Sequence, residues 1–387
     1  MRYVMAVLLL AGSVGAQENL FVDLNNSEGF TSIGEALRRA DEGDVVFVSE
    51  GVYFENLEID KNISLIGAGA GVTSIFAQTG IAISVTGTDS TALIEGMTIT
   101  SKDAVGINVE GGGITIRDCE FTNNTGAVPV RLANTASVVR RNVFTDNFGA
   151  IALVTDLGSV VSNNIIKNNN GGAVDPSYLG GNGVIYVSSG LPETIIANNI
   201  IKDNTKADGI LCALGTPTIK NNTIVGQVDA SSANRAGWGA GAGIAAAQSN
   251  PLITSNIIVG NRVGIRGNGV PGITYNLVAD NVEADYNNYT SDLGEVDDDP
   301  LFTDPRNDDY TLQDGSPAID AGLPGALHFD PDGTTNDIGA YGGPLAAFWQ
   351  LPYVGPVITN LELSPTQVQQ GGTVTVRASA TTVRDGE

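Results

Sequence analysis

The sequence predicts an all-β solenoid, a parallel β-helix, on three observations. A segment with an Asn ahead of an apolar pair recurs along the chain, a Gly followed by apolar alternation recurs in phase with it, and 49 glycines accompany only 16% charged residues. The recurring segment reads RNVFTDN at 141, NNIIKNN at 163, NNIIKDN at 198, NNTIVGQ at 221, SNIIVGN at 255 and YNLVADN at 275, with degenerate copies GMTITSK at 96 and DCEFTNN at 118. The second residues of these copies are separated by 22, 23, 22, 35, 23, 34 and 20 positions, so most intervals are one period and two are a period with an insertion. The in-phase glycines are Gly106, Gly149, Gly183, Gly209, Gly243 and Gly264. Short strands between Asn and Gly turns cannot bury themselves as hairpins, but each is buried when paired with its copy one coil on.

Taken from the start, residues 1–16 carry a basic Arg2, an apolar run from Val4 to Ala11 and small residues up to Ala16, the pattern of a secretory signal cleaved after Ala16. A secreted or extracellular, cell-surface-associated protein is therefore expected. No later stretch has the roughly 18 uninterrupted apolar residues of a membrane span. Ser32 and Glu35 form a capping box ahead of Ile33, Ala36, Leu37 and Ala40, which share one helical face. That predicts an amphipathic helix over about 32–42, ended by Gly43, that plugs the first coil. The coils follow to 298, opening with strands at Val45–Val48, Leu57–Ile59 and Ile63–Ile66.

Asn142, Asn164, Asn199, Asn222, Asn256 and Asn276 are expected to stack as a ladder of side-chain amides, each tolerating the left-handed bend. A second ladder runs through Asn124, Asn147, Asn169, Asn204, Asn261 and Asn281. Such spacing assigns these amides to the scaffold. Cys119 takes a ladder position and Cys212 lies several coils later, which at about 4.8 Å per coil puts them beyond disulfide reach, so two buried free thiols are expected. A formal charge of −24 and the lack of a basic patch argue against a nucleic-acid partner.

The stretch from Ser32 to about 70, SIGEALRRADEGDVVFVSEGVYFENLEIDKNISLIGAG, resembles the opening of right-handed parallel β-helix proteins of the pectin lyase-like superfamily, and the coils to about 290 are similar to their repeat. DPLFTDPRNDDYTLQDGSPAIDAG from 299, with DPDGTTNDIGAYGG from 330, resembles the closing segment of secreted bacterial choice-of-anchor Q proteins. This resemblance implies fold and export more than chemistry, because such folds host many activities. Polygalacturonase-type sites need a Gly-His-Gly on the coils, whereas the one histidine, His328, lies outside them. A Gly-x-x-Asp-Phe-Ile-Phe-Gly stretch of the pectin methylesterase type is also missing. The lyase mechanism remains open; it needs a base, commonly Arg or Lys, and often a Ca²⁺ beside the sugar carboxylate.

Both insertions fall between the second ladder and the next in-phase Gly, so both are expected on one flank. The first, Asn170 to Asn182, carries Asp175 and Tyr178; the second, about 228–240, carries Asp229, Arg235 and Trp238; Lys206 and Asp208 take the matching corner between them. Two coils, about 10 Å, would separate the loops, enough to wall a cleft for a polysaccharide with Tyr178 and Trp238 as stacking platforms. Asp175, Asp208 and Asp229 are the candidate acid and base of a hydrolase, and Arg235 or Lys206 the base of a lyase. Polar residues on exposed loops with no catalytic role are the alternative.

Asp330, Asp332 and Asp337 offer oxygen ligands at a density that suits Ca²⁺, although Asp-Pro and Asp-Gly also cap turns without metal. Residues 299–350 read as the closing segment of the β-helix. Residues 351–387 resemble the start of an immunoglobulin-like module, too short to complete one, so a monomeric module of a longer chain is expected. Function divides between recognition, with or without cleavage, of an extracellular polysaccharide and a non-catalytic structural or adhesive role in a bacterial surface protein.

Overall fold

The computed structural model describes residues 17–25, 29–88, 92–154, 156–171, 183–191, 193–228 and 240–349, together with the strands Pro356–Ser364 and Thr375–Thr382. Three parallel sheets of eleven, ten and ten strands wind along one axis. The first sheet runs from Asn19–Val22 to Gly272–Thr274, the second from Gly51–Tyr53 to Leu277–Ala279, and the third from Leu57–Ile59 to Ala284–Asn287. Each strand pairs with its copy one coil on, so like residues stack. In the second sheet the inward row is Phe121, Phe144, Ile166, Ile201, Ile224, Ile258 and Val278. The two phenylalanines stack with centroids 4.6 Å apart.

The asparagine ladders carry the turns. Asn142 donates its backbone N–H and its Nδ2 to Asn164 Oδ1, both at 3.0 Å, and Asn164, Asn199, Asn222 and Asn256 repeat this down to Asn276. The left-handed bend does not fall on these residues, as the sequence reading placed it, but on the residue before each: Arg141, Asn163, Asn198, Asn221, Ser255 and Tyr275 have φ between 51° and 59°. The ladder residue thus keeps ordinary backbone angles and turns its amide inward. Cys119 does hold a ladder place, its N–H donating to Asn142 Oδ1 at 3.0 Å. Both cysteines are free and buried, and burial pushes their thiols up to about 12.

The cap helix spans Ile33–Arg39 and buries Ile33, Ala36 and Leu37. Ser32 Oγ accepts from Glu35 N, as the capping box requires. A longer-range cap reinforces it: Glu55 accepts from Ile33 N and Gly34 N, both at 2.9 Å, and from Ser32 Oγ at 2.8 Å. The helix ends at Ala40, where the backbone becomes extended, ahead of Gly43.

The closing segment forms a two-stranded antiparallel pair, Phe302–Asp304 with Asp309–Leu312, and then runs back along the solenoid as a strap. Leu323 N bonds Ser255 Oγ, Asn221 Nδ2 bonds Asn336 Oδ1, Asn198 Nδ2 bonds the carbonyls of Ala340 and Gly342, and Asn163 Nδ2 bonds that of Leu345. Ala318 and Ile338 cover the outward Ile257, Val259, Leu277 and Ala279 of the second sheet. The open end of the core is closed instead by Tyr286 and Tyr289, which pack against it. The compact unit ends at Ala346. In the second unit Pro356–Ser364 and Thr375–Thr382 form an antiparallel pair.

Candidate functional site

Both insertions leave from one row at the corner between the second and third sheets. Asn170 is bridged in parallel to Thr205, and Thr205 to Val228, so their stems stand two coils apart with the tight corner at Thr205–Ala207 between them. Lys206 makes that corner with φ 52° and stays half-exposed. The shared flank and the intervening place of Lys206 and Asp208 are as the spacing predicts. Asp175, Tyr178, Asp229, Arg235 and Trp238 lie outside the described residues.

Asp208 opens the strand Asp208–Cys212, and its side chain is only 2% exposed. Arg266 Nη2 reaches both of its oxygens, at 2.7 and 2.9 Å, and Ala242 N donates to it at 2.9 Å. Burial raises its pKa, and the Arg266 guanidinium opposes that rise. Asp208 is thus an enclosed, ion-paired carboxylate rather than an open one. Arg266, 58 residues away, is the partner that sequence reasoning missed.

The outer face of the third sheet continues this site. One register row reads Glu58, Ser84, Asn108, Arg131, Ala152, Tyr186, Leu211, Ala245, Arg266 and Asn287. Its first four residues are polar and at least partly exposed, with Arg131 Nη1 donating to Asn108 Oδ1 at 2.9 Å. From Ala152 to Ala245 the row is apolar and buried. The face therefore offers donors and acceptors ahead of the insertions, while its apolar stretch beside them is buried.

Asp330, Asp332 and Asp337 lie in the strap. Asp330 accepts from Gly343 N and from Asp337 N, Asp332 from Thr334 N and Oγ1, and Asp337 from Asp320 N. Burial, with Asp337 and Asp332 nearby, pushes the Asp330 carboxyl up to about 6. Their oxygens serve backbone turns, and among the described residues no group of three or more His, Cys, Asp or Glu is placed to hold a metal ion. Among the same residues no helix is long and apolar enough to cross a membrane.

Residues 45–224 match the family model described as "Right handed beta helix region". No curated protein matches the chain. Among solved structures, pectate lyase Pel9A is similar at 14% identity and a TM-score of 0.50, covering 86% of this chain and 98% of its own. Pectin methylesterase PemA from Erwinia chrysanthemi, also 14% identical, has a TM-score of 0.39 over 65% of this chain and 80% of its own. A pectin methylesterase in complex with a hexasaccharide has 14% identity and a TM-score of 0.40 over 78% of this chain and 98% of its own. Likeness at this identity concerns fold, and with the stacked three-sheet geometry it makes the chain a right-handed parallel β-helix.

Proposed function

We propose that this protein recognises an extracellular polysaccharide on the outer face of the third sheet, at the corner where its two insertions leave. The observation that carries this reading is the bridged row Asn170, Thr205 and Val228, which sets two insertions side by side on a rigid scaffold, where binding groups concentrate. The polar row Glu58, Ser84, Asn108 and Arg131 supplies a track of hydrogen-bonding groups leading to that corner. The fold likeness to pectate lyase Pel9A adds support, since that protein's name places a polysaccharide on the same architecture.

Recognition is favoured over cleavage at Asp208, because its carboxylate is enclosed and bound to Arg266. If cleavage occurs, Lys206 or Arg235 as lyase base, or Asp175 with Asp229 as hydrolase pair, would carry it. Export through the leader at 1–16 and attachment to a larger surface protein are further parts of this proposal.

The test is a screen of residues 17–387 against neutral and uronate polysaccharides, with and without Ca²⁺, reading affinity, new reducing ends and the ultraviolet absorbance of unsaturated sugar. Binding that Trp238→Ala and Arg131→Ala both weaken supports the reading. Unsaturated product adds lyase activity, and reducing ends alone add hydrolysis. Absence of binding and product on every polymer sinks it in favour of a structural role.

A further inference from the structure

We propose that a cavity at the far end of the first sheet binds a neutral sugar residue. The cavity measures about 350 Å³, a small-ligand size, and is lined by Pro271, Ile273, Asn288, Tyr289, Thr290 and Asp292. Its inner wall is an unfinished sheet edge. Along the first sheet Thr218 N, Leu252 N and Gly272 N donate in turn to the carbonyls of Thr194, Pro217 and Pro251, each one coil back. Pro271 offers the next carbonyl in this row, and among the described residues no N–H of the following chain donates to it. Backbone groups alternate sides along a strand, so with Gly272 bonded backward, Ile273 turns its N–H and C=O forward, to the open edge. Neither has a partner among the described residues, although Ile273 is only 5% exposed and buried backbone groups are nearly always paired.

The outer wall is residues 288–292, held at both ends. Asn288 Nδ2 donates to Gly267 O at 2.9 Å, and the chain rejoins the sheet where Tyr275 N donates to Leu293 O at 2.9 Å. Between these points Tyr289 packs against the core. The Asn288 Oδ1, the Thr290 hydroxyl and the second oxygen of Asp292, whose Oδ1 accepts from Leu293 N, have no partner among the described residues. Acceptors thus outnumber donors: two backbone carbonyls, an amide oxygen and a carboxylate against the Ile273 N–H, with Thr290 able to serve either way. A ligand that fits must donate several hydrogen bonds and accept at least one, which sugar hydroxyls do because each can do both. Charge narrows the class further. The lining holds the Asp292 carboxylate and no cation, and no Lys or Arg occurs between Arg266 and Arg306, whereas Asp280, Glu283, Asp285 and Asp297 to Asp299 do. A uronate or sulfated sugar would meet repulsion there, and a neutral one would not.

This site lies on a different sheet from the recognition corner and goes beyond that reading without resting on it. The experiment uses residues 17–387 and the methyl glycosides of glucose, galactose, mannose and xylose, with sodium galacturonate at the same ionic strength. Saturation-transfer NMR reads binding, and hydrogen exchange followed by mass spectrometry locates it. At least one methyl glycoside should bind saturably and slow exchange in the peptide around Ile273, and galacturonate should bind more weakly than that glycoside. Asp292→Lys, at an exposed position, should weaken the glycoside by about tenfold or more, since hydrogen bonds to a charged group are lost. Thr290→Val, which leaves the bonds of Asn288 and Leu293 in place, should weaken it less, and unchanged urea midpoints show that both variants fold. No saturable binding of any methyl glycoside overturns the proposal, as does galacturonate bound as tightly as the neutral sugar. Binding that Asp292→Lys leaves intact, or that protects another part of the chain and not the Ile273 edge, belongs to a different site and overturns it equally.

Discussion

Asn276 gives both its backbone N–H and its Nδ2 to a single oxygen of Glu295, each at 2.9 Å, so a carboxylate ends the asparagine ladder. An amide in that place would need a further acceptor below it, whereas a carboxylate only accepts. Asp285 ends the second ladder in the same way beneath Asn281.

Glu295 should make stability depend on pH. Its other oxygen accepts from the Tyr286 hydroxyl, and burial raises its pKa above the ordinary 4.5. The folded chain therefore binds more protons than the unfolded one just above pH 4.5, so this contribution is complete at lower pH and is lost as pH rises through the folded pKa. Urea midpoints measured between pH 4.5 and 7.5 should fall less steeply in Glu295→Gln than in the wild type. Parallel slopes would show that the ladder's end does not titrate.

Gln227 interrupts the second ladder. Its N–H still donates to Asn261 Oδ1, but its own Oε1 is buried without a partner, where Asn204 would otherwise donate. Gln227→Asn should restore the rung and stabilise the chain by about 1 kcal/mol, read as a higher urea midpoint at unchanged slope. Destabilisation would mean that the longer side chain is needed for packing.

The Asp208–Arg266 pair should be structural. Arg266→Met leaves a buried carboxylate without its cation and should cost about 3 kcal/mol or more, whereas Asp208→Asn with Arg266→Met together should cost less than the two changes added. A double-mutant cycle in urea measures the coupling, and additivity would count against it.

Asn198 should hold the strap. Asn198→Gly removes its bonds to Ala340 and Gly342 while keeping φ 55° accessible, and should cost about 1 kcal/mol. Asn198→Ala adds left-handed strain and should cost about 1 kcal/mol more. Limited proteolysis should then cut sooner between 335 and 346, and an unchanged cleavage rate would show that the strap is held elsewhere.

Much of this architecture could be read from the sequence because a solenoid repeats its chemistry at one interval. The rungs at Asn142 to Asn276, the cap at Ser32 and the shared flank of the insertions each follow from local patterns read in phase. Features without a period were not legible. Gln227 sits on a rung whose neighbours are asparagines, and a pattern defined by asparagine does not include it. The Asp208–Arg266 pair joins residues two coils apart with no repeat to announce it. The direction of the strap depends on single bonds from Asn163, Asn198, Asn221 and Ser255, residues that the repeat presents as ordinary turns.

The strap also sets an order of events. Paired coils contact only their neighbours and could be completed from the amino terminus as the chain emerges. Asn163 and Asn198 nevertheless wait for Leu345 and Ala340, partners 182 and 142 residues downstream. Closing such long loops is slow, so the middle coils form early but reach their final protection against exchange with solvent only after the last turn of the strap has been delivered.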